Sequence, residues 1–149
     1  MPFRQYVESH TDTVTQLSFH PDKPNVLLSA ATDGLVSLFD ITISDEDDAL
    51  TQVLNHYSAV HCAGFLSAEE VYAVSSDEQL SVYTLSKPDD PEDAVLPVTA
   101  FGDVREQLQC SYVVDVLPTS GHPPAWIAAG DTGCVVSSWK IVIPLTALS

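Results

Sequence analysis

Short segments in which apolar and polar side chains alternate dominate the start of the chain. Residues 14–19 alternate with a period of two, which predicts a half-buried strand. A turn cluster with two prolines follows at 20–25, and 26–31 is a continuous apolar run typical of a strand covered on both faces. Residues 32–34 (Thr-Asp-Gly) predict a tight hairpin turn, because glycine supplies the positive φ. Residues 35–39 are expected to return as the third strand.

The same pattern recurs further along the chain. His56 follows His10 by 46 positions, and Asp77 follows Asp33 by 44. This offset is close to the roughly 40–45 residues of a four-stranded propeller blade. A third, weaker copy is predicted from strands at 112–117, 125–130 and 134–139, with a turn at 132–133. The outermost strands of the first two copies are predicted at 50–54 and 95–99.

We therefore predict an all-β fold. The chain, residues 1–149, is expected to form a single partial propeller of about three four-stranded antiparallel blades. The predicted blades span residues 9–54, 55–100 and, for the weaker copy, 101–143. Since a ring usually contains four or more blades, this arc is expected to be a fragment of a larger ring.

The first copy carries marks that identify a family. These marks are His10, Phe19-His20-Pro21, Ser29, Asp33-Gly34 and Phe39-Asp40. In this order they resemble a WD repeat in which phenylalanine replaces the signature tryptophan. The resemblance covers nearly the whole chain, to around residue 136. It implies a β-propeller that binds other proteins and has no catalytic site of its own.

The resemblance also implies a structural tetrad in each blade, formed by a His, a Ser or Thr, an Asp and an aromatic residue. The matching positions are His10, Ser29, Asp33 and Phe39 in the first blade and His56, Ser75, Asp77 and Tyr83 in the second. Phe39 has no indole N–H, so its tetrad ends one member short. Ser75 lies only two residues before Asp77, and in the third copy Thr132 replaces the Asp. These residues are expected to stabilise the blades.

The charge of the chain narrows the choice of partners. Acidic residues outnumber basic ones by 21 to 5, for a formal net charge of −16. Such a surface repels nucleic acid and anionic lipid, so neither nucleic acid nor a membrane is expected as a partner. The expected partners are other proteins that carry basic segments. Two predicted surface loops supply the candidate partner-binding residues Asp45, Glu46, Asp47, Asp48, Asp89, Asp90, Glu92 and Asp93.

Other chemistries are less favoured. His10, Ser29 and Asp33 are the residue types of a hydrolase triad, but the chain lacks a Gly-x-Ser-x-Gly elbow and the repeat already explains these residues. The acidic run 45–48 lacks the order of an EF-hand loop, and the three cysteines lack zinc-site spacing, so no metal and no cofactor is expected. Sparse cysteine and the lack of an apolar N-terminal signal predict an intracellular protein, cytoplasmic or nuclear.

The preferred hypothesis is a WD-repeat scaffold for protein–protein interaction without catalytic activity. The alternative is a truncated or incomplete propeller that needs further blades or a partner to fold; a hydrolase is less favoured. Three countable blades, the apolar tail 140–145 and Trp139, one position late relative to Phe39, suggest this alternative. A three-blade arc exposes two apolar blade faces, so self-association through the exposed edges is also expected.

Overall fold

Three antiparallel sheets follow one another along the chain in the computed structural model, which describes residues 4–91, 95–118, 125–131 and 140–144. Each strand is hydrogen-bonded to the next one in sequence within its sheet. Blade 1 contains β1 (Val14–Phe19), β2 (Val26–Ala31), β3 (Leu35–Asp40) and β4 (Leu50–Asn55). Blade 2 contains β5 (Val60–Phe65), β6 (Glu70–Ser75), β7 (Gln79–Thr84) and β8 (Val98–Asp103). Blade 3 contains β9 (Tyr112–Leu117), β10 (Trp126–Gly130) and β11 (Lys140–Pro144). Two short helices, α1 (Glu46–Ala49) and α2 (Arg105–Leu108), precede β4 and β9.

Blades 1 and 2 repeat the same strand register. Phe19 pairs with Leu27 across β1 and β2, just as Phe65 pairs with Val71 across β5 and β6. A bulge follows the first residue of β1 and the first residue of β5. Directly opposed residues of an antiparallel sheet share a face. Equivalent positions of the two blades therefore point the same way relative to their own sheets.

The turn between β2 and β3 contains Gly34, which has a φ of 85°. A Cβ at this position would lie 3.3 Å from the carbonyl oxygen of Ser58, in the segment that leads into blade 2. Glycine thus provides both the turn conformation and the close approach of the two blades. In blade 2 the equivalent residue is Glu78, which has a left-handed φ of 64° without being glycine.

The blades pack through their faces, with β1 against β5 and β5 against β9. One core lies between blades 1 and 2, and includes Leu28, Val36, Leu38, Phe65 and Val71. A second core lies between blades 2 and 3, and includes Tyr72, Val74, Leu80, Val116 and Ile127. Continuous apolar strands are required here because the sheet of blade 2 is covered on both faces. The predicted all-β fold of antiparallel sheets is confirmed.

Blade 3 departs from the predicted strand positions. The strand that follows β10 in the chain and pairs with it is β11 (Lys140–Pro144). The strand predicted at 134–139 and its turn at 132–133 lie outside the described residues. In blade 2, the outermost strand begins at Val98 and not at residue 95. Pro97 precedes it and has no N–H to donate to a strand ladder. The predicted blade boundaries remain predictions.

Ser37 in β3 is fully buried, and its hydroxyl has no hydrogen-bond partner within the described ranges. Burying an unpaired hydroxyl costs roughly 1–3 kcal/mol. We expect Ser37→Ala to keep the free energy of unfolding unchanged or raise it by up to about 1 kcal/mol, as measured by urea denaturation. Ser29→Ala is the matched control and should destabilise, because the Ser29 hydroxyl is hydrogen-bonded to His10. A clear loss of stability in Ser37→Ala would contradict this account.

Candidate functional site

A hydrogen-bonded chain in blade 1 joins the segment before β1 to β2 and to the turn that follows it. His10 Nδ1 lies 3.0 Å from Asp33 Oδ2, and His10 Nε2 lies 2.7 Å from Ser29 Oγ. With its proton on Nδ1, the ring donates to the carboxylate and accepts from the serine hydroxyl. The structure thus brings these three predicted residues together.

The Asp33 carboxylate is the centre of this hydrogen-bond network. The amide of Thr11 donates to Oδ2 and the amide of Leu35 donates to Oδ1, each at 3.0 Å. Burial raises the pKa of Asp33, but the hydrogen bonds from the two amides and from His10 outweigh it, so the pKa lies below its ordinary value. The carboxylate is therefore ionised and ties the turn to the segment before β1.

Phe39 occupies the fourth position of the predicted tetrad of blade 1 and packs against another aromatic side chain. Its ring stacks on Tyr6, with ring centroids 5.0 Å apart and planes inclined by 8°. The Tyr6 hydroxyl donates to the carbonyl oxygen of Ile43 at 2.7 Å. A stacked aromatic pair therefore holds the N-terminal segment on blade 1 at the point where an indole N–H is lacking.

The equivalent residues of blade 2 are connected differently. His56 Nε2 donates to the Gln79 carbonyl at 3.0 Å, and Nδ1 lies 2.8 Å from the Tyr83 hydroxyl. Asp77 instead accepts from the hydroxyls of Ser75 (2.5 Å) and Ser58 (2.8 Å). Burial lowers the pKa of His56, against smaller opposite effects of the Gln79 carbonyl and the Asp77 charge. Ser75 bonds to Asp77 and not to His56, because it stands two residues later on its strand than Ser29 does on β2.

Asp131 was missed by the sequence analysis. It follows β10 directly and accepts a hydrogen bond from the Ser111 hydroxyl at 2.8 Å, as Asp77 does from Ser58 in blade 2. Asp131 comes one residue after its strand, whereas Asp33 and Asp77 each come two residues after theirs. Matching the third copy by the repeat therefore placed Thr132 at the aspartate position. The Asp-Thr-Gly run at 131–133 was the available signal.

Polar contacts between blades also went unpredicted. His20 Nε2 donates to the Ala68 carbonyl at 3.0 Å, joining the β1–β2 connection to the β5–β6 connection. The Glu78 carboxylate accepts from the buried Val113 amide at 2.7 Å, which joins blade 2 to blade 3. Such contacts join residues that are far apart in sequence, so no local sequence pattern predicts them. They link blade 1 to blade 2 and blade 2 to blade 3.

Two of the four residues in the first acidic loop are engaged within the chain. Asp45 caps α1 by accepting from the amides of Asp47 and Asp48. The Glu46 carboxylate accepts from the amides of Val7, Glu8 and Ser9 and from the Ser9 hydroxyl, at 2.5–2.9 Å. Burial raises the pKa of Glu46, but these hydrogen bonds outweigh it and the pKa is lowered. Asp47 and Asp48 are exposed and are the residues of this loop that a partner could contact.

The second acidic loop is described only in part. Asp89 is exposed, while Asp90 accepts from the Lys87 amide at 2.7 Å. The Lys87 ammonium also lies 3.0 Å from a Glu69 carboxylate oxygen. The remaining predicted members of this loop, Glu92 and Asp93, lie outside the described residues.

Both acidic loops lie at one end of the molecule. Each connects the third and fourth strand of its blade, and the His20–Ala68 hydrogen bond joins the adjacent connections of blades 1 and 2 at this same end. The His10 and Asp33 pair lies at the opposite end, with the β2–β3 turn. We call the end that carries Asp47, Asp48 and Asp89 the acidic end.

The hydrogen bonds connect Ser29, His10 and Asp33 in the order of a hydrolase triad. The surroundings of Ser29, however, differ from those of a catalytic serine. Ser29 is 5% exposed and lies in the middle of β2, between the fully buried Leu28 and Ala30. A nucleophilic serine instead needs a sharp turn that presents its hydroxyl to a substrate. This setting favours a structural role.

Within the described ranges, no three His, Cys, Asp or Glu side chains are grouped in a way that would hold a metal ion. No helix among the described residues has the length and apolar character needed to cross a membrane. The thiol of Cys62 is buried, and burial raises its pKa to about 12. Cys62 thus has the character of a packed apolar residue and not of a reactive one.

Comparison with known proteins agrees with the repeat seen in the structure. Residues 2–40 match the family model described as WD domain, G-beta repeat. The chain is 40% identical over 117 residues to the uncharacterized WD repeat-containing protein YNL035C of Saccharomyces cerevisiae, covering 78% of this chain and 30% of that protein. It is 34% identical over 116 residues to the WD repeat-containing protein 89 homolog of Dictyostelium discoideum, covering 76% and 30% respectively. The chain thus spans less than a third of either relative.

A solved propeller has the same fold. The β-propeller domain of Cps50 (Swd1) from Myceliophteria thermophila superposes with a TM-score of 0.62 at 16% identity, over 82% of this chain and 37% of that one. The three successive blades thus correspond to part of a propeller ring, which confirms the predicted partial propeller. By its repeat, its relatives and its fold, the chain belongs to the WD-repeat β-propeller family.

Proposed function

We propose that this protein is a non-catalytic interaction scaffold whose acidic end binds a basic segment of another protein. WD-repeat propellers generally serve as scaffolds for protein interaction. The observation that carries the finer proposal is the placement of Asp47, Asp48 and Asp89 on two loops at the same end of adjacent blades. An intracellular location, cytoplasmic or nuclear, belongs to the same proposal and rests on the sparse cysteines.

Electrostatics support this choice of partner. With a formal net charge of −16, the chain attracts a Lys/Arg-rich segment from a distance and repels other anions. Single exposed charges contribute only about 0–1 kcal/mol each. A basic segment that reaches both loops is therefore expected to gain chiefly in association rate and in salt-sensitive affinity.

The proposal is tested with a double variant, Asp47→Asn with Asp89→Asn, which removes one exposed charge from each loop. The probe is a labelled Lys/Arg-rich peptide, and its binding is followed by fluorescence anisotropy. We expect affinity to fall roughly three- to tenfold at about 0.05 M salt and the difference to vanish near 0.5 M.

The matched control removes two exposed charges at the opposite end, Asp12→Asn with Glu106→Gln. It has the same net charge as the test variant, so a purely long-range attraction would weaken equally in both. Equal weakening in the two variants, or none in either, would rule out the acidic end as the binding site. Labelling of Ser29 by a serine-reactive phosphonate would instead favour the hydrolase alternative.

A second candidate is an incomplete propeller that needs further blades or a partner. The exposed apolar side chains Leu17, Phe19 and Val53 on one face of blade 1 favour it. If it holds, the purified chain will unfold without a cooperative urea transition, and adding a partner will restore one. A cooperative transition of the chain alone would exclude it.

A further inference from the structure

The outer edge of blade 2 is formed by β8, and no strand pairs with the far side of β8 in the part of the chain that the structure describes. The blades contact one another through their first strands, β1 with β5 and β5 with β9. The fourth strand of blade 2 therefore lies at the outer rim. Further blades of a ring would join beside blades 1 and 3, so they would not reach the rim of blade 2.

The hydrogen bonds to β7 show which backbone groups of β8 point outward. The Thr84 amide donates to the Pro97 carbonyl oxygen at 3.1 Å, so that carbonyl faces β7. The backbone groups of successive residues in an antiparallel strand alternate between its two sides. The N–H and C=O of Thr99 thus also face β7. The N–H and C=O of Val98 and the N–H of Ala100 face outward.

This stretch, Val98–Ala100, is here called the free edge. Edge strands are usually protected against pairing by charged side chains or by proline. The free edge contains neither, and its three side chains are exposed. Pro97 on one side has no N–H, and on the other side a bulge separates the pairs made by Ala100 and Gly102. The free edge therefore fits one short extended segment.

Val98 gives the free edge an apolar character. It is directly opposed to Tyr83, whose side chain lies in the core between blades 1 and 2. Val98 therefore lies on the side of the sheet that faces blade 1. Blade 1 has all four of its strands, yet Val98 is 55% exposed. A missing blade on that side is thus not the cause of its exposure, and an apolar side chain of an added strand would cover it.

Charge indicates which segment the free edge accepts. The connection from β7 leaves at Thr84 and returns at Pro97, so the exposed Asp89 lies at the end of the sheet where the free edge begins. This is the acidic end. The formal net charge of −16 opposes pairing between two copies of the chain and favours a basic segment.

We propose that a basic, extended segment of another protein adds a strand to blade 2 along the free edge. The segment exchanges backbone hydrogen bonds with Val98 and Ala100, covers the Val98 side chain with an apolar one, and places a Lys or Arg beside Asp89. The basic character of the partner rests on the proposed function, to which strand addition adds the way in which the partner is held. Backbone pairing supplies affinity, and charge selects the segment.

Hydrogen exchange of single amides, followed by NMR on the unaltered chain, tests the pairing directly. The probe is a short peptide in which lysine and valine alternate. Without peptide, the Thr99 amide should exchange slowly because it is bonded to β7, and the Val98 and Ala100 amides should exchange fast. Saturating peptide should slow the latter two by about tenfold or more and leave Thr99 unchanged. Unchanged exchange at Val98 and Ala100 would overturn the proposal.

Peptide affinity, followed by fluorescence anisotropy, separates pairing from charge. The same peptide with every backbone amide N-methylated keeps its charge but has no N–H for a ladder, and should bind roughly three- to tenfold more weakly. Val98→Pro removes an N–H that does not face β7, so the sheet is retained and the difference between the two peptides should vanish. Val95→Pro is the matched control, because Val95 precedes the strand, and it should keep the difference.

Strand addition and the acidic end can fail separately. Equal binding of both peptides, weakened by Asp47→Asn with Asp89→Asn, would support the acidic end and overturn strand addition. Slowed exchange at Val98 and Ala100 with no effect of that double variant would overturn the acidic end and support strand addition. A dimer of the chain alone, seen by light scattering and abolished by Val98→Pro, would mean that a second copy occupies the free edge and would overturn the proposed partner.

Discussion

Replacing Phe65 by alanine is expected to lower the free energy of unfolding by about 3–5 kcal/mol. The ring lies in the core between blades 1 and 2, against the sheet that carries Leu28 and Leu38, and makes an edge contact with His20 at a centroid distance of 4.9 Å. Its removal leaves a cavity that a rigid contact between two sheets closes only in part. Urea denaturation followed by circular dichroism measures the change.

The internal repeat provides the control for this prediction. Phe19→Ala is the same substitution at the equivalent position of blade 1, on the face of that sheet that points away from blade 2, where the side chain is already exposed to solvent. In the monomer at low concentration it should cost less than about 1 kcal/mol. Equal costs at the two positions would mean that the Phe19 side chain is covered in solution or that the contact between blades 1 and 2 is loose.

Replacing Asp33 by alanine is expected to destabilise the chain by about 1–3 kcal/mol. The carboxylate accepts from the amides of Thr11 and Leu35 and from the ring of His10, so its loss leaves three donors without their partner. Asp77→Ala is the comparison at the equivalent position. Because Asp77 is exposed and accepts only serine hydroxyls that can turn to water, a much smaller effect is expected. An unchanged urea midpoint in Asp33→Ala would contradict the assignment.

The loss of stability in Asp33→Ala is expected to depend on pH. The pKa of Asp33 is lowered by folding from its ordinary value of 3.8, so the folded state favours the ionised form. The stability this group contributes is fully present above that value and is lost as the pH falls through the lower pKa of the folded state. The difference in unfolding free energy between the wild type and Asp33→Ala should therefore be constant near neutral pH and shrink below pH 3.8. A difference that grows on acidification would exclude this role.

Much of the fold was predictable because local patterns reported it directly. The alternation in 14–19, the apolar run in 26–31 and the Asp-Gly turn each specify a strand or a turn through near neighbours. The connection of His10 with Ser29 and Asp33 was also accessible, since the resemblance to a WD repeat links these positions. Beyond blade 1 the prediction weakened wherever spacing shifted by one or two residues. The Ser75 hydrogen bond and Asp131 are the two examples.

The candidate binding surface could be predicted only in outline. Eight acidic residues stood out by composition, yet Asp45 and Glu46 are occupied by backbone amides of α1 and of the N-terminal segment. A run of carboxylates in a sequence does not show which members are satisfied within the chain. That depends on which distant amides the fold brings near them, as it brings Val7 near Glu46.

The sequence by itself determined most of the strands and turns of blades 1 and 2, the repeat and the sign of the charge. These follow from the chemistry of residues within a few positions of one another and from regular spacing along the chain. Only the tertiary structure decided that Phe65 is buried while Phe19 is exposed, that the two acidic loops share one end, and that Glu78 joins blade 2 to blade 3. The reason is physical: equivalent residues of a repeat have the same local environment, but burial and pairing depend on which neighbouring blade covers them.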